Sequence, residues 1–171
     1  MRYRLLFKRN MGLYLLAGLF ASCTSSKVYV VRHAEKAPAG TGSMMSTDVP
    51  LSDAGTQRAE KLKTILQKEK IVAIYSTQTI RTVATVQPLS QLKNIPVRLY
   101  SHRDTLPAFI QKVKQQKKGT VVIVGHSNTV DDLVNQFLGK QELSDLPETE
   151  YDNLFELRRK GDRYTLNKKK F

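Results

Sequence analysis

The chain has 171 residues, of which 40% are hydrophobic, and a formal net charge of +13. This length is enough for one ordinary domain with its own core. The excess of positive charge favours anionic partners such as phosphorylated ligands or lipid head groups. The basic runs carry no aromatic interleaving and no nucleic-acid-binding motif, so we interpret them as solvated faces and expect no nucleic acid partner.

The N-terminal segment has the layout of a secretory signal. Residues 1–22 contain four basic residues and no acidic one, and the apolar stretch 11–20 is too short to span a bilayer comfortably. The run Phe20-Ala21-Ser22-Cys23 resembles a bacterial lipobox, in which the cysteine is lipidated. We predict a lipoprotein-type signal peptide at 1–22, a short tether at 23–26 and a globular domain at 27–171. An uncleaved N-terminal anchor is the alternative.

Cys23 is the only cysteine of the chain. An intrachain disulfide is therefore impossible, and the globular domain has no thiolate metal site or cysteine nucleophile. Its position at the end of a signal-like segment favours a lipid anchor at Cys23. The predicted location is the bacterial cell envelope, periplasm or outer membrane, with the protein attached to a membrane.

Strand-type and helix-type segments alternate after residue 26. The predicted strands are 27–31, 71–75, 96–100, 120–125, 153–158 and 163–167. The predicted helices begin after the cap residue Ser52 and near residue 79, and the later ones span 106–117 and about 128–138. The first helix has a predicted apolar face made by Ala59, Leu62, Ile65 and Leu66.

The order of these segments predicts the fold class. Alternating strands and helices favour an α/β three-layer sandwich with a mostly parallel central sheet and helices on both faces. The last two strands are joined around Gly161-Asp162 and predict an antiparallel hairpin at the sheet edge. Pro88 is expected to kink or end the second helix, because proline lacks a backbone donor.

Two histidines follow two of the predicted strands. Arg32-His33 ends the first strand, and His126 follows Gly125 at the end of the strand 120–125. Open α/β sheets bind their ligands at the carboxyl ends of their strands. The two imidazoles can therefore meet at one point, and arginine beside them suits a phosphate. Arg81, just past another strand, lies where it can converge on the same point.

Four blocks of sequence, in order, resemble those of the histidine phosphatase superfamily with its phosphoglycerate mutase-like fold. The blocks are Val31-Arg32-His33-Ala34-Glu35-Lys36, Leu51 to Ala59 with its Leu-Ser-x-x-Gly-x-x-Gln pattern, Tyr75-Ser76-Thr77 to Arg81-Thr82, and Gly125-His126-Ser127. One departure is Ala34, which stands where the family has glycine. The resemblance is to a small, exported, lipoprotein-type member.

The resemblance implies roles for these residues. His33 would attack phosphorus through a neutral ring nitrogen and become a phosphohistidine, while a backbone carbonyl holds its other nitrogen. Arg32, Arg81 and His126 would surround the phosphoryl oxygens. Because these groups would themselves neutralise the negative charge of the phosphoryl oxygens, the reaction would need no metal, and no cofactor is expected.

The proton donor is the open role. One branch of the family has an acid directly after the second histidine, but here that residue is Ser127. Another branch takes the acid from the segment after the third strand, which makes Asp104 the first candidate. Glu35, two residues past the nucleophile, is the second.

We therefore predict a metal-independent histidine-type phosphatase of the cell envelope, a hydrolase of a phosphomonoester or phosphoanhydride. Its expected partners are a small phosphorylated substrate or a phosphorylated envelope glycolipid, and a membrane reached through the lipid anchor. Two alternatives stay open. One is a non-catalytic module that binds a phosphorylated ligand, and the other is a phosphoprotein phosphatase.

Overall fold

The computed structural model describes residues 26–38, 48–101 and 105–171. Its strands are β1 (Lys27–Arg32), β2 (Ile71–Ser76), β3 (Val97–Leu99), β4 (Thr120–Gly125), β5 (Asn153–Lys160) and β6 (Arg163–Lys170). Its helices are α1 (Asp53–Leu66), α2 (Ile80–Lys93), α3 (Leu106–Lys114) and α4 (Val130–Leu138).

The strands form one sheet in the order β3-β2-β4-β1-β5-β6. Strands β1 to β4 are parallel, β5 is antiparallel to β1, and β6 is antiparallel to β5. The connections from β1 to β2 and β3 run towards one edge, and the connection from β3 to β4 runs back. Because the direction reverses beside β1 and β4, a crevice opens at their carboxyl ends.

The helices cover both faces of the sheet. Side chains of α1 and α2 share one apolar core with one face, and side chains of α3 and α4 share a second core with the other. The sheet is therefore the middle layer of three. This confirms the predicted α/β class, the mostly parallel sheet and the antiparallel C-terminal edge.

Helix α1 begins as predicted but buries a narrower face. The Ser52 side chain caps the helix and accepts a hydrogen bond from the backbone N–H of Gly55 at 3.1 Å. Of the predicted apolar face, Ile65 is 42% exposed, whereas the other three residues are buried. At 100° per residue, Ile65 lies about 100° from Leu66 and so falls outside the stripe that faces the sheet.

Helix α2 does not end at Pro88, contrary to one of the expectations from sequence. It continues to Lys93 and ends on Asn94, which adopts the left-handed conformation (φ 51°). The residues on either side of the proline, Val86 and Leu89, are fully buried in the core. Their burial stabilises the helix beyond the point where proline removes one backbone hydrogen bond.

Other boundaries differ by a few residues. Helix α3 ends at Lys114 rather than at 117, and α4 begins at Val130 rather than near 128. Strand β3 is shorter than predicted, and β5 and β6 are longer. The hairpin is longer because its pairing runs from Lys160 and Arg163, which flank a turn with Gly161 at φ 62°, to Asn153 and Lys170 at the other end.

The predicted signal segment, the tether up to residue 25 and Cys23 lie outside the described residues, as do residues 39–47 and 102–104. Within the described parts of the chain, no helix is long and apolar enough to span a membrane.

Candidate active site

The two histidines meet because β1 and β4 are neighbours in register. Arg32 lies opposite Gly125 in the parallel pair, so the residues that follow them leave the sheet side by side. The backbone N–H of His33 donates to the Gly125 carbonyl at 2.9 Å. The centroids of the His33 and His126 rings are 5.4 Å apart. The topology thus brings two imidazoles to one crevice.

The His33 ring is neutral and held in one tautomer. Its Nδ1 lies 2.7 Å from the Ala34 carbonyl oxygen, which can only accept, so Nδ1 carries the proton and Nε2 keeps the lone pair. Burial, together with the positive charges of Arg32 and Arg81, lowers the pKa of His33 to about 4, although the Ala34 hydrogen bond opposes this shift. At neutral pH the ring is therefore a nitrogen nucleophile.

A buried threonine fixes the peptide that orients His33. The Ala34 backbone N–H donates to Thr85 Oγ1 at 2.9 Å, and the same hydroxyl donates to the Arg81 carbonyl at 2.7 Å. Thr85 is only 1% exposed, so water does not compete for these bonds. This hydroxyl links the His33 loop to the first turn of α2, which carries Arg81.

Arg81 and His126 form the opposite wall of the site. Arg81 Nη2 lies 3.5 Å from His126 Nδ1, and Arg81 Nη1 lies 3.5 Å from Asp48 Oδ1. His126 Nε2 lies 2.9 Å from Thr77 Oγ1. The backbone N–H of His126 donates to Thr129 Oγ1 at 2.8 Å.

These residues surround a cavity of about 590 Å³. The residues that line it are His33, Lys36, Thr79, Arg81, His126, Ser127, Asn128, Asp145, Leu146 and Glu148. Most of these side chains are polar, and the cations Lys36 and Arg81 stand on its wall beside the two histidines. The cavity, called the phosphate cavity below, has the charge and the donors to hold a small oxyanion.

Arg32 lies behind the cavity and is not among its lining residues. Its side chain is 1% exposed, and its guanidinium carbon lies 4.2 Å from the centroid of the Tyr151 ring. Nη1 donates to the Pro147 carbonyl at 2.8 Å and Nη2 donates to Glu148 Oε2 at 2.7 Å. Arg32 Nε is buried and has no hydrogen-bond partner among the described residues. It is the one nitrogen of this guanidinium that has no partner there, and it can donate to a ligand oxygen.

Glu35 is not brought to the cavity. Its carboxylate receives hydrogen bonds from Arg58 Nε at 2.9 Å and from Arg58 Nη2 at 2.6 Å. Burial disfavours the charged form, but the bonds from Arg58 outweigh it, so the pKa of Glu35 lies below its ordinary value. Arg58 also donates to the Phe171 carbonyl at 2.9 Å. Glu35 therefore ties the His33 loop to α1 and to the C-terminal segment.

Asp104 lies outside the described residues. The cavity also contains residues that the sequence analysis did not single out, among them Lys36, Asn128 and Glu148. Lys36 could have been found from its place three residues after His33 in the same loop. Glu148 gave no signal, because the run between α4 and β5 has no periodic pattern.

Glu148 bridges the two sides of the site. It accepts from Ser127 Oγ, next to His126, and from Arg32 on the other side. The Ser127 hydrogen bond, and the charges of Arg32 and Lys36, hold the pKa of Glu148 below its ordinary value. The described residues contain no group of three or more His, Cys, Asp or Glu side chains that could hold a metal ion.

A family model now matches this part of the molecule. Residues 28–102 match the histidine phosphatase superfamily (branch 1). The match spans β1 through the segment after β3 and includes the Arg32-His33 and Arg81 blocks, and it confirms the predicted superfamily. The sequence matches no curated protein.

Solved structures extend the resemblance to most of the length of this chain. The protein histidine phosphatase SixA, complexed with tungstate, has a TM-score of 0.65 at 15% identity, covering 84% of this chain and 96% of SixA. A mycobacterial glucosyl-3-phosphoglycerate phosphatase has a TM-score of 0.61 at 15% identity, with 84% and 97% covered. At these identities the likeness shows the fold.

A third structure is the phosphoserine phosphatase of Entamoeba histolytica, a mutant in complex with phosphoserine. It has a TM-score of 0.62 at 14% identity, and the match covers 83% of this chain and 95% of that one. The superfamily match, together with neighbours that are themselves phosphatases, supports the prediction of a histidine-type phosphatase.

Proposed function

We propose that the protein is a metal-independent phosphatase that hydrolyses a phosphomonoester or phosphoanhydride through a phosphohistidine at His33. The observation that carries this proposal is the state of the His33 ring. A buried, neutral imidazole with Nδ1–H held by the Ala34 carbonyl at 2.7 Å presents Nε2 as a nucleophile. A module that only binds phosphate does not need a nucleophilic nitrogen.

The reaction has two displacements. The Nε2 lone pair forms a bond to phosphorus while the bond from phosphorus to the leaving oxygen breaks, and the leaving alkoxide takes a proton from an acid. Water then attacks the phosphohistidine and gives a proton to the conjugate base of that acid, the phosphorus–nitrogen bond breaks, and inorganic phosphate leaves. The Nδ1–H bond to Ala34 stabilises the positive charge that the ring gains in the first step.

The phosphoryl oxygens are held by cations around the nucleophile. Arg81 and His126 donate from the wall of the cavity, and Arg32 donates through Nε, its unused buried donor. These groups neutralise the charge that develops on the equatorial oxygens during in-line transfer. Tungstate, found in the SixA complex, is a tetrahedral oxyanion like phosphate, which is consistent with an oxyanion site in this fold.

Asp104 remains the proposed proton donor. Its rival Glu35 is held as a carboxylate by Arg58, with a pKa below the ordinary value, and such a group is a poor acid at neutral pH. Asp104→Asn should therefore slow hydrolysis of alkyl phosphates far more than that of p-nitrophenyl phosphate, whose leaving group needs little protonation. Equal losses on both esters would assign the acid elsewhere.

We propose that this phosphatase acts in the cell envelope, attached to a membrane through a lipid on Cys23. The signal-like composition of residues 1–22 and the lipobox-like run before Cys23 support this location. The substrate is then a small phosphorylated molecule or a phosphorylated envelope glycolipid.

The experiment uses the full chain, reconstituted in nanodiscs, with a panel of phosphate esters and with chelator present. We expect phosphate release and an acid-labile phosphoenzyme. His33→Ala should abolish the phosphoenzyme and lower turnover at least about 1,000-fold. His126→Ala should slow the reaction about 100-fold but still form the intermediate, because it removes one oxyanion donor and keeps the nucleophile.

The alternatives predict other outcomes. A binding module would retain inorganic phosphate or a phosphate ester without turnover, and His33→Ala would then change affinity alone. A phosphoprotein phosphatase would release phosphate from phosphohistidine or phosphoserine peptides and leave small esters intact. Either result would replace the proposal.

A further inference from the structure

A second cavity lies beside the phosphate cavity and has the opposite character. It measures about 680 Å³ and lies between α1, the first half of α2 and the end of β3. Its walls are largely apolar and include Leu51, Ala59, Ile80, Val83, Ala84 and Leu99. We call it the apolar groove. Its volume falls within the range of small-molecule sites.

The groove exposes large hydrophobic side chains. Ile80 is 53% exposed and Leu99 is 55% exposed, and both line this one surface. Isolated apolar residues on a surface need no explanation, whereas apolar residues that share a concave wall indicate a binding surface. Leu92 has the same exposure, 53%, but does not line the groove.

The apolar groove and the phosphate cavity are adjacent. Thr79 lines both of them. Thr79 is followed by the first two residues of α2. Ile80 lines the groove, and Arg81 lines the phosphate cavity. A molecule with its phosphoryl group against Arg81 and His33 can therefore extend past Thr79 into apolar surroundings.

We propose that the apolar groove binds the leaving group of the substrate, and that this group is an apolar organic body such as an alkyl chain. This inference rests on the proposed phosphatase function and narrows its substrate class to amphiphilic phosphate monoesters. Charge complementarity sets the orientation of the molecule. Its anionic end is attracted to Lys36 and Arg81 in the phosphate cavity, and its apolar body is transferred from water to the groove.

Apolar burial makes the proposal quantitative. Each methylene that moves from water into the groove should raise kcat/KM by about fourfold, until the groove is filled. Sugar phosphates and phosphorylated polyanions gain nothing from such a wall, because their hydroxyl and charged groups would lose water without finding partners.

The test compares ethyl, butyl, hexyl and octyl phosphate as substrates of the full chain in nanodiscs, without free detergent that would compete for the groove. For the unmodified protein kcat/KM should rise steeply along the series. Leu99→Asp should lower kcat/KM for octyl phosphate about tenfold and leave ethyl phosphate unchanged. Ile80→Ser is a second, milder variant with the same expected pattern.

Leu92→Asp is the matched control, since it places the same charge at an equally exposed leucine of α2 outside the groove. It should behave like the unmodified protein along the whole series. Partition of octyl phosphate into the nanodisc lipid affects all variants equally and so cancels in this comparison. A flat series, or an equal slope in Leu99→Asp and Leu92→Asp, would overturn the proposal.

Two further outcomes are distinguishable. If p-nitrophenyl phosphate and every alkyl phosphate go unhydrolysed, the proposed function fails, and calorimetric titration of octyl phosphate then tests the groove by itself. If sedimentation shows a dimer that Leu99→Asp dissociates while the alkyl series is flat, the groove is an interface between copies of the chain. That result would also overturn the substrate assignment.

Discussion

At the scale of single residues, the surroundings of His33 convert an ordinary imidazole into a nucleophile. Its ring is 4% exposed, its Nδ1 is engaged by Ala34, and two arginines stand close to it. Each of these contacts disfavours a second proton or fixes the first one. The same contacts have a consequence for stability, because the unfolded chain lacks them.

We expect His33 to make the protein less stable in mild acid. Its folded pKa, about 4, lies below the ordinary value of 6.5. As the pH falls from about 6.5 towards 4, the unfolded chain takes up a proton that the folded chain does not, so stability falls in this window. The loss at pH 5 relative to pH 7 should be about 2 kcal/mol.

Urea unfolding at both pH values, in buffers without phosphate, measures this loss. His33→Gln has no titrating group at this position. Its loss of unfolding free energy between pH 7 and pH 5 should therefore be about 2 kcal/mol smaller than that of the unmodified protein. An identical loss in both proteins would contradict the lowered pKa.

Thr85 should act on catalysis without touching the substrate. Its hydroxyl is the acceptor for the Ala34 N–H and the donor to the Arg81 carbonyl, and Thr85 itself is buried. Thr85→Val leaves the Ala34 N–H without a partner, which costs about 1–3 kcal/mol, and should lower kcat/KM about 10- to 100-fold. Thr85→Ser keeps the hydroxyl and should restore most of the activity.

The rescue by serine separates a positioning role from loss of volume. Thr64→Val, at an exposed threonine of α1 that lines neither cavity, is the matched control and should leave kcat/KM unchanged. If Thr85→Val retains full activity, the hydroxyl does not position the nucleophile loop.

At the scale of elements, the start of α1 supports the loop that carries His33. The Ser52 N–H donates to the Glu35 carbonyl at 2.9 Å, and Gly55 lies against the same carbonyl. A Cβ on Gly55 would stand 2.1 Å from that oxygen. The glycine of the second sequence block is thus required by the close approach of helix and loop.

Gly55→Ala should therefore reverse the usual effect of this substitution in a helix. Alanine normally stabilises a helix by about 1 kcal/mol relative to glycine. Here the methyl group would displace backbone, and we expect the free energy of unfolding to fall by at least about 2 kcal/mol. Urea unfolding measures it, with Thr56→Ala as a neighbouring control within about 0.5 kcal/mol of the unmodified protein. A stabilised Gly55→Ala would contradict the close approach.

At the scale of the whole molecule, one edge of the sheet is rich in positive charge. The proposed membrane anchor, in turn, is close in sequence to the first strand. Strand β6 lies at the edge of the sheet and ends in Lys168, Lys169 and Lys170. Lysines on an edge strand oppose pairing with another chain, which keeps such a sheet from aggregating. Only three residues lie between Cys23 and the start of β1 at Lys27, so a lipid on Cys23 would hold the domain close to its membrane.

Cys23→Ser should abolish lipid modification of the protein. In cells fed a labelled fatty acid, the unmodified chain should carry the label and the variant should carry none. Thr24→Ser, beside the cysteine, is the control and should be labelled normally. Persistent labelling of Cys23→Ser would contradict the lipobox prediction, and an unlabelled protein in the membrane fraction would favour the uncleaved anchor.

The sequence by itself determined the α/β alternation, the hairpin edge and the positions of His33 and His126 at strand ends, because these follow from local periodicity and from motifs read along the chain. It did not determine that α2 continues through Pro88, since burial of Val86 and Leu89 on the sheet overrides the local cost of proline. The tertiary structure alone decided the rest of the site. It paired Glu35 with Arg58, placed Glu148 at the cavity, made His33 neutral and set an apolar groove beside it. Each of these depends on contacts between residues far apart in the chain, and no local pattern records them.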